Sequence, residues 1–218
     1  MSERRVHQAL TASLEKRVLV WIATRLPVAI TPDHLTVLAF VSQLLAGATY
    51  AMAQRDARAL LVVDFFIFLN WLGDSLDGTL ARVRNRQRPR YGFYVDHMAD
   101  TLGAFALMLG LAASGFAHWQ IAAALLGCFY VVSIETYLTT HTLGYFQLSH
   151  GIFGPTEIRV LLCAANAVAV VHSRTYIAGR SFLLFDVGGA VAIGGMAWMA
   201  LAATFRHIVL LYRAETAP

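Results

Sequence analysis

Six apolar stretches, each close to the length of a membrane-spanning helix, constrain this 218-residue chain more than any other feature. A helix that crosses the hydrocarbon core of a bilayer needs about 20 mainly apolar residues. Only 14% of the residues are charged, whereas a soluble globular domain has about 25%, so the chain lacks the charge to cover a water-facing surface. The sequence therefore predicts an all-α, multi-pass integral membrane protein with six transmembrane helices. The predicted spans are residues 34–53, 59–81, 92–114, 119–140, 157–172 and 182–205.

The segment before the first span has a different pattern. Its apolar residues recur at helical spacing, with basic residues between them: Val6, Leu10, Leu14, Val18, Trp21 and Ile22. This pattern is typical of an amphipathic helix that lies in the membrane interface. Pro27 and Pro32 then interrupt the helix. We expect residues 1–30 to form the interfacial helix and a linker, and residues 31–218 to form the membrane domain.

The distribution of lysine and arginine predicts the orientation. With the amino terminus in the cytoplasm, the cytoplasmic segments hold 13 of the 17 basic residues, and the outer segments hold only Arg55, Arg58, Arg174 and Arg180. Because basic residues concentrate in cytoplasmic segments, we expect both termini in the cytoplasm. The arginine-rich run at residues 84–90 then indicates contact with lipid headgroups rather than with nucleic acid.

Four aspartates lie around the loop between the second and third spans. Asp74 and Asp77 are three residues apart and Asp96 and Asp100 four apart, so each pair lies on one face of its helix. The short loop predicts that the two helices are antiparallel neighbours whose aspartates face each other near the cytoplasmic surface. Four carboxylates at membrane depth need a positive partner, and hard divalent cations supply one. Two such ions about 4 Å apart form a clamp for in-line displacement at phosphorus.

Other residues of the same stretch favour a phosphate-bearing ligand. Gly78 and Gly92 lack a Cβ, so a nucleotide could approach the backbone closely. Arg82 follows Gly78 by one helical turn and could pair with a phosphate. Asn70, one turn before Asp74, could support that aspartate.

Residues 74–100 resemble the signature of the CDP-alcohol phosphatidyltransferase family of membrane enzymes. All eight signature positions are filled, by Asp74, Asp77, Gly78, Ala81, Arg82, Gly92, Asp96 and Asp100. Upstream, residues 31–36 resemble the family's T-P-N-x-L-T segment, with Asp33 in place of asparagine. The family fold of six spanning helices after an interfacial helix agrees with the count made from the apolar stretches.

The resemblance implies a chemistry and a role for each site residue. The four aspartates would hold Mg²⁺ or Mn²⁺, as two ions, and Asp100 would also act as general base on an acceptor hydroxyl. A CDP-activated donor would rest against Asp77, Gly78, Ala81, Arg82 and Gly92, and against Thr31, Pro32 and Asp33. The acceptor oxygen would attack the phosphorus distal to cytidine, and CMP would leave. Family members are often dimers, so a homodimer is a further expectation.

The family divides by which substrate is activated. In one branch CDP-diacylglycerol gives a phosphatidyl group to a small polar alcohol, and in the other a CDP-linked choline or ethanolamine reacts with diacylglycerol. The Asp96–His97 pair and the segment from Glu135 resemble the second branch. The short chain is typical of the first branch, which we favour. Residues that could line the acceptor pocket are His97, Glu135, His141, Glu157 and Arg159, with hydrogen bonding between helices as the other role open to the polar ones.

Two other classes of membrane protein use intramembrane carboxylates. A prenyltransferase would need further Asp-rich motifs in a second half of the chain. A divalent-cation transporter would commonly have repeated halves with broken helices. Here every strong motif lies in one helical hairpin, which favours the phosphatidyltransferase, and release of CMP without metal flux would separate it from a transporter.

Overall fold

The computed structural model describes residues 12–144 and 155–215, and these ranges contain seven helices and one β-hairpin. The helices are α1 (Ala12–Ala23), α2 (Pro32–Met52), α3 (Ala59–Val83), α4 (Pro89–Ala113), α5 (Trp119–Leu143), α6 (Pro155–Val171) and α7 (Leu184–Ala214). The hairpin strands are β1 (Arg174–Ile177) and β2 (Arg180–Leu183). Helices α2 to α7 begin within three residues of the six predicted spans, and α7 continues nine residues beyond its predicted end.

Local sequence explains where the helices around the site begin. At the start of α2, the Thr31 hydroxyl accepts a hydrogen bond from the His34 backbone N–H at 3.3 Å, and His34 Nδ1 accepts from the Thr31 N–H at 3.3 Å. Pro32 occupies the first turn, where its missing N–H costs nothing. Pro89 begins α4 in the same way. The T-P-D segment therefore forms the start of helix α2.

Four of the described helices, α2, α3, α5 and α7, are long and apolar enough to cross a membrane. Helix α4 carries Asp96, His97 and Asp100, which lower its apolar character, and α6 has 17 residues, which is short for a span. The described chain is thus an all-α membrane-type fold with one small hairpin. Among the described residues, four helices meet both criteria rather than the predicted six.

Helix α1 packs along α3. Leu19 and Ala23 are buried in a cluster with Leu35, Leu76 and Leu80. Other apolar side chains of α1 are exposed, namely Val18, Val20 and Trp21. Val6 and Leu10 of the predicted amphipathic helix lie outside the described residues.

Helices α2 to α7 pack in a closed order. Helix α2 packs against α3 and α4, α4 against α5, α5 against α7, α3 against α6, and α7 touches α6. The backbones of α2 and α4 meet at Gly47 and Gly110, because a Cβ built on Gly110 would lie 1.9 Å from the Gly47 carbonyl oxygen. A Cβ built on Gly73 of α3 would lie 2.6 Å from the Leu35 carbonyl oxygen of α2. Small residues therefore let α2 approach both helices that carry the aspartates.

The prediction that α3 and α4 are direct neighbours is wrong. Residues 84–88 join the two helices, but both pack on α2 and their backbones make little contact with each other. Close backbone contacts at Gly73 and Gly110 pack α3 and α4 onto α2. Helix α2 therefore sets the relative position of the two aspartate pairs.

The hairpin between α6 and α7 was not predicted. Its strands pair antiparallel, with Arg174 opposite Leu183 and Ile177 opposite Arg180. Ala178 and Gly179 form the two-residue turn with φ of 50° and 77°, the left-handed region that such hairpins require. The sequence signal was weak because the segment is short and only its glycine marks the turn.

Candidate active site

The four aspartates lie on the two helices that flank the α3–α4 loop. Asp74 and Asp77 belong to α3, and Asp96 and Asp100 belong to the first half of α4. Asp74 Oδ2 accepts a hydrogen bond from Arg159 Nη2 at 2.8 Å, which forms a half-buried ion pair with α6.

Asp77 takes a different set of donors. Its Oδ2 accepts from the Thr36 hydroxyl of α2 at 2.7 Å, and its Oδ1 accepts from the Gly78 backbone N–H. Thr36 also lies within 3.2 Å of the Pro32 carbonyl oxygen. The upstream T-P-D-x-L-T segment therefore contacts the aspartate motif directly, through the last of its six residues.

Three of the aspartates share one electrostatic environment. The charges of Asp74, Asp77 and Arg159 all act on Asp100, and the charge of Asp74 acts on Asp77. Within residues 12–144 and 155–215, however, no three Asp, Glu, His or Cys side chains converge closely enough to hold a metal ion as they stand. The joint binding of metal by the four carboxylates stays a prediction. As the side chains stand, Asp74 and Asp77 accept hydrogen bonds from Arg159, Thr36 and the Gly78 N–H.

The donor set nevertheless suits a hard divalent cation. Such cations take oxygen ligands, chiefly carboxylates, and Asp74, Asp77 and Asp100 present carboxylate oxygens within one charged cluster. Asp96 lies one turn before Asp100 on α4. The Arg159 guanidinium already offsets part of the negative charge, as a cation bound in the same place would.

The signature residues after Asp77 form an accessible face of α3 and α4. Arg82 Nη2 donates to the Thr79 hydroxyl at 2.9 Å, and a Cβ built on Gly78 would lie 3.3 Å from Arg82 Nη1. A Cβ built on Gly92 would meet no atom within 4 Å. Ala81 lies between them, half-buried on α3. The backbone at Gly92 is therefore open to close approach by a ligand, whereas the Arg82 guanidinium lies against Gly78.

A surface pocket of about 340 Å³ joins the upstream segment to the arginine-rich loop. Its lining residues are Thr31, Pro32, Asp33, Arg84, Arg86, Gln87 and Arg88. Asp33, which stands where the family has asparagine, forms an ion pair with Arg88. Arg84 donates to the carbonyl oxygens of Leu26 and Pro27 at 2.9 Å each, so it holds the linker before α2 against the end of α3.

An aromatic group lies beside Asp96 and Asp100. The His97 ring stacks on Phe93 with centroids 4.1 Å apart and meets the edge of Tyr137 at 4.8 Å. The charges of both aspartates act on Tyr137 of α5. Sequence reasoning named Tyr137 only as part of a longer segment. Tyr130 lies two turns before Tyr137 on the same face of α5, and its hydroxyl donates to the Thr101 carbonyl oxygen of α4 at 3.0 Å. This two-turn spacing of tyrosines is the sequence signal that could have identified the face of α5 that packs on α4.

The other predicted acceptor residues lie in different surroundings. Glu135 Oε1 is 2.5 Å from His207 Nδ1 and accepts from the Thr139 hydroxyl at 2.9 Å, in a buried contact between α5 and α7. His141 is exposed near the end of α5. Glu157 lies in the first turn of α6, two residues before Arg159.

Asn70 does not support Asp74, contrary to expectation. Its buried amide donates to the Ala39 carbonyl oxygen at 3.1 Å and to Gln43 Oε1 at 3.3 Å. The close approach of α2 at Gly73 brings those acceptors within reach. Asn70 therefore joins α3 to α2.

The fold is that of a helical membrane protein, and its signature residues lie on α3 and α4 around one loop. The chain belongs to the CDP-alcohol phosphatidyltransferase family, whose family model matches residues 29–205. It is therefore an integral membrane transferase of phospholipid biosynthesis.

The chain is similar to inositol phosphate lipid synthases. It is 32% identical over 149 residues to the archaetidylinositol phosphate synthase of Pyrococcus horikoshii, which covers 68% of this chain and 75% of that protein. The phosphatidylinositol phosphate synthase of Mycobacterium tuberculosis with CDP-DAG bound has a TM-score of 0.64 and 20% identity, over 87% of this chain and 92% of that one. The same synthase in complex with manganese and citrate has a TM-score of 0.62 and 18% identity, over 88% and 87%. These structural similarities show the fold.

Proposed function

We propose that the protein transfers a phosphatidyl-type group from a CDP-linked diacylglycerol to a hydroxyl of a small polar alcohol and releases CMP. The observation that carries the proposal is the shared cluster of Asp74, Asp77 and Asp100 with Arg159 of α6. The similar proteins favour the lipid-activated branch, because both are named as synthases of inositol phosphate lipids and one was crystallised with CDP-DAG.

The acceptor in this proposal carries a phosphate, and inositol phosphate is the first one to test. Arg159 is the basic side chain beside the aspartates on α6, and one fifth of its side chain is exposed. A guanidinium binds phosphate in the same bidentate way as carboxylate, so Arg159 can exchange Asp74 for an acceptor phosphate. His97 and Tyr137 line the neighbouring surface next to Asp96 and Asp100.

The proposed mechanism assigns a task to each group. Asp100 takes the proton from the acceptor hydroxyl, and Thr36 holds Asp77 in orientation through its 2.7 Å hydrogen bond. The open backbone at Gly92 lets the nucleotide lie close to α4, and the Arg82 guanidinium beside Gly78 can pair with its phosphate. Divalent ions held by Asp74, Asp77, Asp96 and Asp100, as two Mg²⁺ or Mn²⁺, would neutralise charge on the phosphoryl oxygens and on the departing CMP.

The membrane arrangement is part of the proposal. Helices α2 to α7 would form six spans, with α4 and α6 contributing the more polar and the shorter span, and α1 would lie in the cytoplasmic interface. The exposed Trp21 and the basic residues of this helix support that placement. Both termini and the aspartates then lie on the cytoplasmic side.

The test is CMP release by the purified protein with CDP-diacylglycerol, Mg²⁺ or Mn²⁺, and a panel of inositol phosphate, glycerol phosphate, inositol and serine. CDP-ethanolamine with diacylglycerol is run in parallel, and lipid products are identified by mass spectrometry. We expect CMP release with a phosphorylated acceptor, its loss on chelation and its return when the metal is restored. Activity only with CDP-ethanolamine would favour the amino-alcohol branch, and metal flux without CMP release would favour a transporter.

The catalytic assignment has a matched control on the same helix pair. Asp100→Asn should insert normally. Its turnover should fall by about 10²–10⁴-fold, the usual contribution of a general base. Asp64→Asn changes an aspartate of α3 that contacts Asn166, and we expect it to retain turnover. Equal activity of the two variants would contradict the role given to Asp100.

A further inference from the structure

Glu15 of α1 bridges two helices of the membrane domain. Its carboxylate accepts hydrogen bonds from Trp71 Nε1 at 3.2 Å and from the Ser75 hydroxyl at 3.4 Å, both on α3. It also lies 3.3 Å from the Thr156 hydroxyl of α6, through each of its two oxygens. One side chain of the interfacial helix thus contacts both helices that form the Asp74–Arg159 ion pair.

The bridge lies next to the ion pair on both helices. Ser75 directly follows Asp74, and Thr156 precedes Arg159 by one helical turn. At 3.2–3.4 Å these contacts are long, and the Glu15 carboxylate is their common acceptor. None of the ion pairs among residues 12–144 and 155–215 involves Glu15, so its contacts are with neutral donors of α3 and α6.

A second polar contact fixes the same two helices farther along. Asn166 Nδ2 of α6 donates to Asp64 Oδ1 of α3 at 2.6 Å, and the Tyr50 hydroxyl donates to Asn166 Oδ1 at 2.8 Å. On α6, Arg159 lies between Thr156 and Asn166. On α3, Asp74 lies between Trp71 and Ser75, which both contact Glu15. Arg159 can hold a set position only while the α6 turn before it stays against α3.

We propose that Glu15 is a positioning residue: its carboxylate holds the start of α6 against α3 and so keeps Arg159 in register with Asp74. The inference rests on the proposed function of Arg159 in binding a phosphorylated acceptor. It also gives the interfacial helix a task, because α1 then couples the membrane surface to the acceptor side of the site.

The kinetic test compares Glu15→Ala, Glu15→Gln and Lys16→Ala. Lys16 is the exposed neighbour of Glu15 on α1. We expect Glu15→Ala to raise the KM for the phosphorylated acceptor about tenfold, the size of losing a hydrogen bond to a charged group. The KM for the CDP-linked donor should stay unchanged, Glu15→Gln should restore most of the loss because its amide oxygen still accepts, and Lys16→Ala should match the unmodified protein. An unchanged acceptor KM in Glu15→Ala would overturn the proposal. An equal rise in the KM values for donor and acceptor, together with a fall in Tm, would also overturn it, because it would indicate a general loss of stability.

The structural test does not depend on activity. Spin labels at Val83 of α3 and Leu161 of α6, both exposed, are placed in a protein whose Cys128 and Cys163 are replaced by alanine. We expect a narrow distance distribution that broadens in Glu15→Ala and recovers in Glu15→Gln. An identical distribution in Glu15→Ala overturns the bridge. Failure of every donor and acceptor to give CMP with the unmodified protein would refute the proposed function instead, while this measurement still decides whether Glu15 holds α6.

Discussion

Replacing Gly110 by alanine tests whether α2 and α4 meet as closely as the structure places them. A Cβ at Gly110 would lie 1.9 Å from the Gly47 carbonyl oxygen, and ordinary contact begins at 3.4 Å. The neighbour is backbone, so it cannot turn away as a flexible side chain would. The two helices must therefore separate by about 1.5 Å, or bend, to accommodate one methyl group.

The magnitude follows from two opposing terms. Overpacking costs about 1–3 kcal/mol, and the rigid neighbour places Gly110→Ala at the upper end. Alanine in place of glycine within a helix returns up to about 1 kcal/mol. The net loss is about 2 kcal/mol, and a chain of this length loses about 2–4 °C of Tm for each kcal/mol, so Tm should fall by about 4–8 °C.

The same variant should lower activity. Helix α4 carries Asp96 and Asp100, whereas Thr36 of α2 holds Asp77. Separation of α2 from α4 therefore displaces one aspartate pair from the other, and a misplacement of 1 Å in catalytic groups can cost about 100-fold in rate. We expect turnover to fall by about tenfold or more.

Gly127→Ala is the matched control, since a Cβ at Gly127 of α5 would meet no atom within 4 Å. It should raise the unfolding free energy by up to about 1 kcal/mol through helix propensity alone, with normal activity. Thermal unfolding in detergent and CMP release are measured on both variants. Gly110→Ala with the Tm and turnover of the unmodified protein would show that α2 and α4 do not meet at this point.

Three further substitutions test separate contacts. Thr36→Val removes the hydroxyl that donates to Asp77, so kcat/KM for CMP release should fall about tenfold, Thr36→Ser should restore it, and equal rates in both variants would refute the contact. Arg84→Lys cannot reproduce the several guanidinium donations to the linker before α2, so the unfolding free energy should fall by about 1–3 kcal/mol; an unchanged melting curve counts against this role. Asn166→Leu removes the amide that joins Asp64 to the buried Tyr50 hydroxyl. The unfolding free energy, measured by thermal unfolding, should fall by about 1–3 kcal/mol. An unchanged unfolding free energy would show that these contacts are absent.

The sequence was sufficient to predict the order and positions of the main helices. Apolar runs predicted α2 to α7 to within three residues at their starts, because span length depends on bilayer thickness and not on neighbours. The i,i+3 and i,i+4 spacing placed each aspartate pair on one helix face, since helical geometry is local. The hairpin escaped prediction because its four-residue strands give no periodic signal.

The partners of those residues could not be predicted. Chain order suggested that α3 and α4 pack together, but glycines at positions 47, 73 and 110 let α2 pack against both instead. That same approach gave Asn70 acceptors on α2 and gave Asp77 a donor from Thr36.

Residues far apart in sequence show the same division. For Glu135 the sequence left open an acceptor pocket or a hydrogen bond between helices, and the residue contacts His207, 72 residues later. Arg159 meets Asp74 across 85 residues, and Glu15 meets Thr156 across 141. The sequence by itself determined which segments are helices and which faces carry charge, because both depend on residues within a turn or two. Only the tertiary structure decided which donor each carboxylate meets, because that depends on how closely the helices approach one another. Small residues at distant positions of the chain together determine those distances.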